Sequence, residues 1–380
     1  MVLDLANLST SQKIKIDRIY QENQVAYNKI IENILTLNSQ FIYKITNISS
    51  RNNSQSDLYL NCVKSIFIKE EINKNPNIDK VIVYNLNLYK HLKKINQKVS
   101  IFYIKNRADA QLNFFLKPYF NIIKIIRNSF NLLLNSDTRR NKKIIKEKKI
   151  ILIDTFLLKN SIERKIYIDR YYNNILKFVD KKNKNKLFFC PTIRAKYSNK
   201  DLKNIQNNSS ENLIFKNDFL MFSDYLKAFI IILKQRIKIK KQILSGVDIT
   251  DLILYTHKLN KYNFITFDAL LNYFFVSRLV NNSIFVKTFI DWNENQSIDK
   301  AFIRGFKDFS PKTKIKSYQG YILSYAYNFH LCPTKFEIQN NLVADEILVT
   351  GNKLKKHIKK YSSNINVSSA PAFRFYNSFE

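Results

Sequence analysis

Three short polar segments near the C-terminus carry side chains suited to phosphate and sugar chemistry. Asp291–Gln296 follows an apolar run and holds Glu294 together with the only tryptophan of the chain. Gln319–Tyr321 and Gly351–Lys353 each follow another apolar run. If these runs are parallel strands, their carboxyl ends meet at one edge of a sheet, which is where open α/β sheets bind ligands. The three segments are therefore expected to face one crevice.

The residue types in these segments suit a nucleotide-activated substrate. A glycine at a strand end lets a phosphate approach the backbone, and the helix that follows offers free N–H groups at its N-terminus. Gly351 with Lys353 fits that role. Glu294 can accept hydrogen bonds from a sugar or ribose hydroxyl, or act as a base. The amide of Gln319 can hold a ligand by hydrogen bonds.

Each of these residues also has a purely structural interpretation. Glu294 suits the first turn of a helix as a cap, Trp292 suits a core, and Gly351 suits an ordinary turn. The chain has only four glycines in 380 residues, and Gly305, Gly320 and Gly351 all lie near the C-terminus. In so glycine-poor a composition, a glycine marks a position that cannot take a side chain. Taken singly, each residue fits the structural interpretation better, but their convergence at strand ends supports the functional and structural interpretations of the set about equally.

Other polar candidates lie outside these segments. Arg51 and Asn52 belong to a polar loop, where the planar guanidinium of Arg51 suits a carboxylate or phosphate ligand, or an ordinary loop ion pair. Asp154 and Asp268 lie at or near predicted strand ends. Either aspartate can be functional or can cap a helix.

Neither metal nor thiol chemistry is expected. His91, His257 and His357 have no acid or cysteine at metal-ligand spacing, and His330 with Cys332 is expected to pack in a core. The sequence has no P-loop, no G-x-G-x-x-G and no G-x-S-x-G motif.

The elements that must position these residues alternate between apolar runs and helical patterns. The runs are apolar on both faces, which is typical of parallel strands buried beneath helices. The predicted strands are 79–84, 99–104, 149–154, 186–191, 284–290, 314–318, 346–350 and 364–368. The predicted helices are 5–45, 108–134, 215–243, 268–279, 295–309 and 352–361.

These elements predict an α/β fold of two halves, 1–215 and 216–380, with an N-terminal helical segment. Within the helix at 215–243, apolar residues recur every three or four positions. We expect that stripe, which includes Phe222, Leu226 and Ile230, to face the core.

The composition restricts the class of protein and its partners. Hydrophobic residues make up 45% of the chain, which excludes a disordered protein of low hydrophobicity. Lys and Arg number 63 against 30 Asp and Glu, so the net charge is +33. Nucleic acid, anionic lipid and phosphorylated ligands suit this charge, and solvated helix faces in a lysine-rich composition are the alternative.

The cysteines and apolar runs indicate a location. The three cysteines form no C-x-x-C pair, which suits a reducing cytoplasm. The first residues do not resemble a signal peptide, and no apolar run reaches the length of about 18 residues that a membrane span needs. We therefore expect a protein that is soluble or lies on a membrane without crossing it.

The C-terminal segments resemble one protein family. The residues that carry the resemblance are Trp292–Gln296, Ala301, Gly305, Pro311, Tyr318–Tyr321, Pro333, Glu337 and Ile347–Gly351. They are similar to blocks of the bacterial surface carbohydrate biosynthesis proteins encoded in O-antigen and capsule clusters. Ser50–Ser56 and Ile168–Tyr172 are similar to earlier blocks of that family. The resemblance covers most of the chain and is dense from about 285 to 375.

The resemblance implies a glycosyltransferase-like protein with two Rossmann-like parallel-sheet halves facing a cleft, the B-type architecture. The implied reaction moves a sugar from a nucleotide-sugar donor to a lipid-linked glycan, with no tightly bound cofactor. The block around Trp292 and Glu294 is also similar to transferases that use CMP-linked acidic sugars. The implied location is cytoplasmic and peripheral, on the inner face of the bacterial inner membrane, with its anionic surface as a partner.

These implications assign roles to individual residues. Glu294 is expected to be the catalytic carboxylate, and the C-terminal half is expected to bind the donor. The N-terminal half is expected to face the acceptor through Arg51 and Asn52. The expected donor-binding residues are Asn295, Gln319, Gly320, Tyr321, Glu337, Gly351 and Lys353.

Two other functions remain open at this point. The net charge suits a basic nucleic-acid-binding protein, such as a ribosome-associated one, although no recognition motif is present and no specific nucleic-acid partner is expected. The other alternative is a non-catalytic member of the polysaccharide assembly machinery, which has the same fold but no transferase activity.

Overall fold

The structure is a computed structural model of the chain. It describes residues 1–46, 48–53, 55–96, 98–104, 116–134, 149–163, 166–172, 175–194, 197, 199–209, 212–321, 329–361 and 364–378. The first part of the predicted helix 108–134, up to residue 115, lies outside the described residues.

Strands and helices alternate along the described parts of the chain, as the sequence predicts for an α/β fold. The strands are β1 Val2–Asp4, β2 Lys80–Val83, β3 Ser100–Tyr103, β4 Lys149–Leu157, β5 Ile162–Glu163, β6 Ile166–Tyr167, β7 Leu187–Ile193, β8 Asn212–Leu213, β9 Ile243–Leu244, β10 Val247–Asp248, β11 Phe285–Trp292, β12 Lys314–Gln319, β13 Glu346–Val349 and β14 Val367–Ser369. The helices are α1 Thr10–Glu22, α2 Gln24–Leu37, α3 Phe41–Lys44, α4 Leu58–Lys74, α5 Leu86–Ile95, α6 Lys117–Leu134, α7 Lys181–Lys184, α8 Asn199–Asn208, α9 Phe222–Leu233, α10 Thr250–Asn260, α11 Phe264–Asn281, α12 Ser297–Phe309, α13 Lys335–Gln339 and α14 Asn352–Tyr361.

The chain divides into two compact units that differ from the predicted halves. The first unit holds Met1–Lys124, Ile231–Thr266 and a short segment ending at His330, and the second unit holds the remainder. The predicted boundary at residues 215 and 216 does not coincide with this division. The reason is that β4, β7 and β8, which precede residue 216, belong to the same sheet as β11 to β14.

The first unit contains a three-stranded parallel sheet in the order β1-β2-β3. The predicted strands at 79–84 and 99–104 are confirmed as β2 and β3. The predicted helix at 5–45 is divided into α1, α2 and α3. Asn23 ends α1, because its side-chain amide donates to the backbone oxygen of Ile19 at 2.9 Å and takes up a carbonyl at the helix end.

The second unit is built on a seven-stranded parallel sheet in the order β8-β7-β4-β11-β12-β13-β14. The chain begins in β4, proceeds outward through β7 and β8, and then returns to the other side of β4 for β11. The strand order therefore reverses between β4 and β11. This order is consistent with a Rossmann-like sheet, in which the ligand crevice lies at the reversal.

Helix α12 connects β11 to β12 and packs closely on α11. Its buried face includes Phe302 and Phe306, whose rings lie 5.2 and 4.6 Å from the ring of Phe289 on β11. Gly305 lies on the same helix, and a Cβ there would come within 3.1 Å of the Val276 side chain. The glycine thus allows the two helices to approach, and the first turn of α12 is fixed relative to the sheet.

The predicted helix at 215–243 is shorter and oriented differently from the prediction. Helix α9 spans only Phe222–Leu233, and Phe222, Leu226 and Ile230 are exposed. The buried side of α9 is formed by Tyr225, Ala228 and other residues between the predicted positions. The prediction of a core stripe was therefore wrong, because both sides of this helix are apolar and only one is covered.

No helix in the described parts of the chain combines the length and the hydropathy that crossing a membrane requires.

Candidate functional site

Three polar side chains form a row across adjacent strands near the carboxyl edge of the seven-stranded sheet. Asp154 on β4 lies beside Asp291 on β11, since the register pairs the preceding residues of both strands. Asp291 is paired in turn with Ser317 on β12, whose hydroxyl donates to the Asp291 carboxylate at 2.9 Å. All three residues are buried. Asp154 and Asp291 therefore flank the reversal of strand order, where ligands of such sheets bind.

A third aspartate joins this row from the first turn of α12. Asp299 caps that helix, because one of its carboxylate oxygens accepts the backbone N–H groups of Glu294 and Gln296, each at 2.9 Å. One carboxylate oxygen each from Asp154, Asp291 and Asp299 lies within 4.8 Å of the others. The fold thus gathers three buried acids from three separate elements, and we call them the aspartate cluster.

Burial and mutual repulsion disfavour the charged forms of the aspartate cluster. Burial raises the pKa of Asp154 well above its ordinary value, and the charge of Asp299 adds to that rise. The pKa of Asp291 is raised by burial and by Asp154, and that of Asp299 by burial and by Asp291. Isolated from any other ion, the cluster would retain protons at pH values where exposed carboxyls have lost them.

A buried ion pair lies next to the aspartate cluster. Lys216 donates to the Asp268 carboxylate and to the side-chain oxygen of Asn272, the latter at 2.6 Å. The guanidinium of Arg194 lies 3.7 Å from the same carboxylate. Burial alone would raise the pKa of Asp268, but Lys216 and Arg194 hold it below its ordinary value. Asp268 is therefore part of an ion pair, and its charge partners also act on Asp154.

Glu294 lies in the loop after β11, at the carboxyl edge where it was predicted. One of its carboxylate oxygens accepts the indole N–H of Trp292 at 2.9 Å, and the other accepts the amide of Gln296 at 2.5 Å. Glu294 is half-buried, whereas Trp292 is fully buried. Two donors thus fix the orientation of a carboxylate that solvent and ligands can still reach.

Aromatic rings surround Trp292 and accompany Glu294. The ring of Tyr171 meets the indole edge-on at 4.6 Å, and that of Tyr321 is stacked on it at 6.3 Å. The charge of Glu294 contributes to a raised pKa of both tyrosines, after burial, which places its carboxylate near both rings. The segment therefore combines a carboxylate with an aromatic wall.

Asp169 holds the loop that supplies Tyr171. Its carboxylate accepts the hydroxyls of Thr155 and Tyr167, each at 2.5 Å. It also accepts the backbone N–H groups of Tyr171 at 2.9 Å and Tyr172 at 2.5 Å. With four donors to one buried carboxylate, Asp169 is a structural anchor that positions the aromatic wall.

Asn295 and Glu337, two predicted donor-binding residues, lie together on one side of α12. The Asn295 amide is 3.4 Å from a carboxylate oxygen of Glu337, which forms a buried ion pair with Lys300 at 2.8 Å. Glu337 also caps α13 by accepting the backbone N–H of Thr334. A pocket beside the first turn of α12 is lined in part by Asn293, Asn295, Asp299, Lys300 and Ser317. Glu337 therefore supports the wall of this pocket through Lys300.

The segment after β12 is shaped by packing. Gln319 is fully buried, its amide donates to the backbone oxygen of Leu331 at 3.2 Å, and its carbonyl has no partner among the described residues. A Cβ on Gly320 would clash with the rings of Trp292 and Tyr318. The close approach of these rings explains the glycine without any phosphate.

Gly351 and Lys353 lie apart from this group, at the carboxyl end of β13 and the start of α14. Gly351 has a φ of 107°, which favours glycine, and the space around its Cβ position is open. Both residues are exposed. The structure thus gives the predicted turn before a helix N-terminus, at a strand two places away from β11.

Arg51 and Asn52 belong to the first unit, and they have structural partners there. The guanidinium of Arg51 is buried, donates to the backbone oxygen of Phe329 at 3.0 Å and lies 5.9 Å from the Phe329 ring. The backbone oxygen of Asn52 accepts the N–H groups of Gln55 and Ser56 in a turn. These contacts hold the loop in its conformation.

Comparison of the chain with protein-family models, with curated proteins and with solved structures gives no match. The functional assignment therefore depends on the geometry and chemistry of the site.

Proposed function

We propose that the protein is a glycosyltransferase of bacterial surface-polysaccharide biosynthesis, of the O-antigen or capsule type. It takes a sugar from a nucleotide-sugar donor and places it on a lipid-linked glycan. The observation that supports this proposal most directly is the position of Glu294. It is a reachable, hydrogen-bonded carboxylate at the carboxyl edge, in the loop after a strand that flanks the reversal of strand order.

Glu294 is the group that we assign to the chemical step. In the transfer, the bond between the anomeric carbon and the donor phosphate breaks, and the phosphate leaves with the electron pair. A bond forms between the anomeric carbon and an acceptor hydroxyl oxygen, whose proton passes to a base. A carboxylate near the anomeric carbon takes that proton or stabilises the positive charge that develops on the sugar.

The surroundings of Glu294 support recognition of a sugar. Tyr171 and Tyr321 pack around the indole of Trp292, and aromatic rings give sugar rings an apolar surface to lie on. Asn295 supplies an amide next to Glu294. Gly351 and Lys353, at the helix start after β13, are assigned to the donor phosphates. The donor class that we favour is a CMP-linked acidic sugar.

The parallel sheet in each unit supports a B-type architecture of two Rossmann-like parts. In this proposal the seven-stranded unit binds the donor, and the unit that contains Arg51 and Asn52 receives the acceptor. Since Arg51 donates to Phe329, its contribution is to hold the loop around Asn52 in place.

Helix α6 supports a peripheral location on the inner face of a bacterial inner membrane. Tyr119, Phe120, Ile123, Ile126 and Phe130 are between 50% and 64% exposed. At 3.6 residues per turn they form one continuous apolar stripe along the helix. Such a stripe on a helix too polar to cross a bilayer suits burial at the headgroup boundary.

The charges of α6 identify an anionic bilayer as the partner of this stripe. Lys124 and Arg127 are also exposed on this helix, which contains no acidic residue. Each basic residue near an anionic surface adds about 1 kcal/mol to binding. We therefore assign the stripe to anionic phospholipid, which would bring the enzyme to its lipid-linked acceptor.

The proposal is tested by measuring the melting temperature of the protein with UDP-, GDP-, CMP- and dTDP-sugars, with short RNA as the control. A ligand at 100 times its Kd stabilises a protein by about 2.7 kcal/mol, which a melting shift reveals. We expect a selective shift with one nucleotide class. Stabilisation by RNA alone, lost with added salt, would instead indicate a nucleic-acid-binding protein.

A further inference from the structure

The aspartate cluster has the composition of a cation site. Hard divalent cations are bound by carboxylate oxygens at about 2.0–2.6 Å, so two oxygens on one ion lie about 3–5 Å apart. The three carboxylates offer one oxygen each within 4.8 Å of one another. They come from β4, β11 and the first turn of α12, three elements that pack together in the core of the second unit.

A second observation points to a missing partner in the cluster. Both carboxylate oxygens of Asp154, and one of Asp291, have no hydrogen-bond partner among the described residues. Asp154 is 1% exposed, so its carboxylate is shielded from bulk solvent. Buried charged groups are normally paired or coordinate a metal, because leaving them bare is costly. The bare carboxylate of Asp154 faces the other two acids.

The charges around the cluster do not balance. The buried aspartates Asp154, Asp291, Asp299 and Asp268 carry four negative charges when ionised. Lys216 and Arg194 supply two positive charges, and both already lie at Asp268. Among the described residues no ion pair joins Asp154, Asp291 or Asp299 to a cationic side chain, and a divalent cation supplies positive charge at that place.

We infer that Asp154, Asp291 and Asp299 bind one divalent cation of the oxygen-preferring class, such as Mg²⁺, Mn²⁺ or Ca²⁺. Asp299 of the cluster also lines the pocket that contains Ser317 and Asn293. All three aspartates belong to the second unit, and the proposed site needs no nucleotide. The inference is therefore independent of the proposed transfer reaction.

The inference is tested with Mn²⁺ alone, without any nucleotide. Free Mn²⁺ is counted by electron paramagnetic resonance, and the fluorescence of Trp292 is followed in the same titration. Trp292 is the only tryptophan of the chain, and it directly follows Asp291. We expect one bound Mn²⁺ per chain, with a change in Trp292 emission at the same stoichiometry and competition by Mg²⁺ or Ca²⁺.

Variants separate the cluster from other acids of the protein. Asp154→Asn should weaken Mn²⁺ binding at least tenfold. Asp308→Asn, on the same helix as Asp299 but paired with Arg304 near the surface, should bind Mn²⁺ like the wild type. If Asp154→Asn fails to fold, as judged by circular dichroism, Asp291→Asn is measured in the same way.

Two results would overturn the inference. One is the lack of stoichiometric Mn²⁺, Mg²⁺ or Ca²⁺ binding by the wild-type protein, which would mean that protons alone neutralise the carboxylates. The other is equal Mn²⁺ affinity of the wild type and a folded cluster variant, which would place the ion elsewhere.

Discussion

Asp154 lies inside β4 and Glu294 lies in the loop after β11. Their surroundings give the two carboxyls different chemistry. Asp154 is buried, has no hydrogen-bond donor among the described residues and faces two other acids. Glu294 is half-buried and is held by the donors of Trp292 and Gln296. The first arrangement suits an ion, and the second suits a substrate group.

The raised pKa values of the aspartate cluster predict how stability depends on pH when cations are removed. A folded-state pKa above the unfolded value means that the folded protein binds more protons. The stabilisation by these bound protons is fully present at pH values below the unfolded-state pKa, and it is lost as the pH rises through the folded-state pKa. The loss is at most about 1.4 kcal/mol per pH unit for each proton. Burial and the charge of Asp299 raise the pKa of Asp154 and so favour its protonated form, whereas Lys216 and Arg194 oppose it.

We therefore expect the urea midpoint of EDTA-treated wild-type protein to fall relative to that of Asp154→Asn as the pH rises above about 4, the ordinary pKa of an aspartate. Added Mg²⁺ should reduce this fall in the wild type only. Parallel pH profiles for the two proteins would show that the carboxyl of Asp154 has the same pKa in the folded and unfolded states.

Part of this site was predictable from the sequence. Glu294, Gln319 and Tyr321 lie at the ends of strands that their apolar runs reveal, and the structure places them at one edge. The aspartate cluster was missed, because the pairing of β4 with β11 joins segments far apart in the chain. The position of Asp154 at the end of a fully apolar run was the available signal.

At the scale of elements, the central strands could be predicted from the sequence, because strands buried on both faces consist of continuous apolar residues. The predicted strands at 149–154, 186–191, 284–290 and 314–318 are confirmed as β4, β7, β11 and β12. Short strands such as β8, with two residues, have no periodic pattern to recognise. Periodicity also could not show which side of α9 packs, because apolar residues occur on both of its sides.

The exposed stripe of α6 leads to a prediction about lipid binding. Replacing Ile123 and Phe130 together by Ser should weaken binding to phosphatidylglycerol-containing vesicles at least tenfold, because full burial of each side chain contributes about 1.5–3 kcal/mol. Binding is measured by vesicle sedimentation, with vesicles of phosphatidylcholine alone as the neutral comparison. Ile14→Ser, at an equally exposed isoleucine of α1, is the matched control and should leave binding unchanged.

Equal vesicle binding by the α6 variant and the wild type would contradict the assignment of this stripe to lipid. Self-association of the wild-type protein that depends on Ile123 and Phe130, without lipid binding, would assign the stripe to a second copy of the chain. Sedimentation of the protein alone distinguishes these two results.

At the scale of the whole molecule, the sequence indicated an α/β fold but not how the chain divides. The second unit takes β4 to β8 from the middle of the chain and β11 to β14 from its end. Helix α10, which lies between these groups in sequence, belongs to the first unit. Because the chain passes between the two units more than once, its composition does not change at one boundary. The sequence therefore contained no signal against a division into two consecutive halves.

The net charge of +33 is also a property of the whole molecule. It favours association with anionic surfaces and with phosphate-bearing ligands, and both belong to the proposed reaction. The charge alone does not separate that reaction from nucleic-acid binding, so the two are distinguished by the effect of replacing Glu294 on activity.

The central claim is that Glu294 performs the chemistry at the carboxyl edge. The most direct measurement is the rate of nucleotide release from the selected donor by the wild type, Glu294→Gln and Glu70→Gln. Glu70 is a half-buried glutamate of α4 that pairs with Lys15. We expect Glu294→Gln to lose about 10²–10⁴-fold in rate while its melting temperature and its donor-induced shift stay close to those of the wild type. Glu70→Gln should retain full activity. Release at the wild-type rate by a folded Glu294→Gln variant would contradict the account.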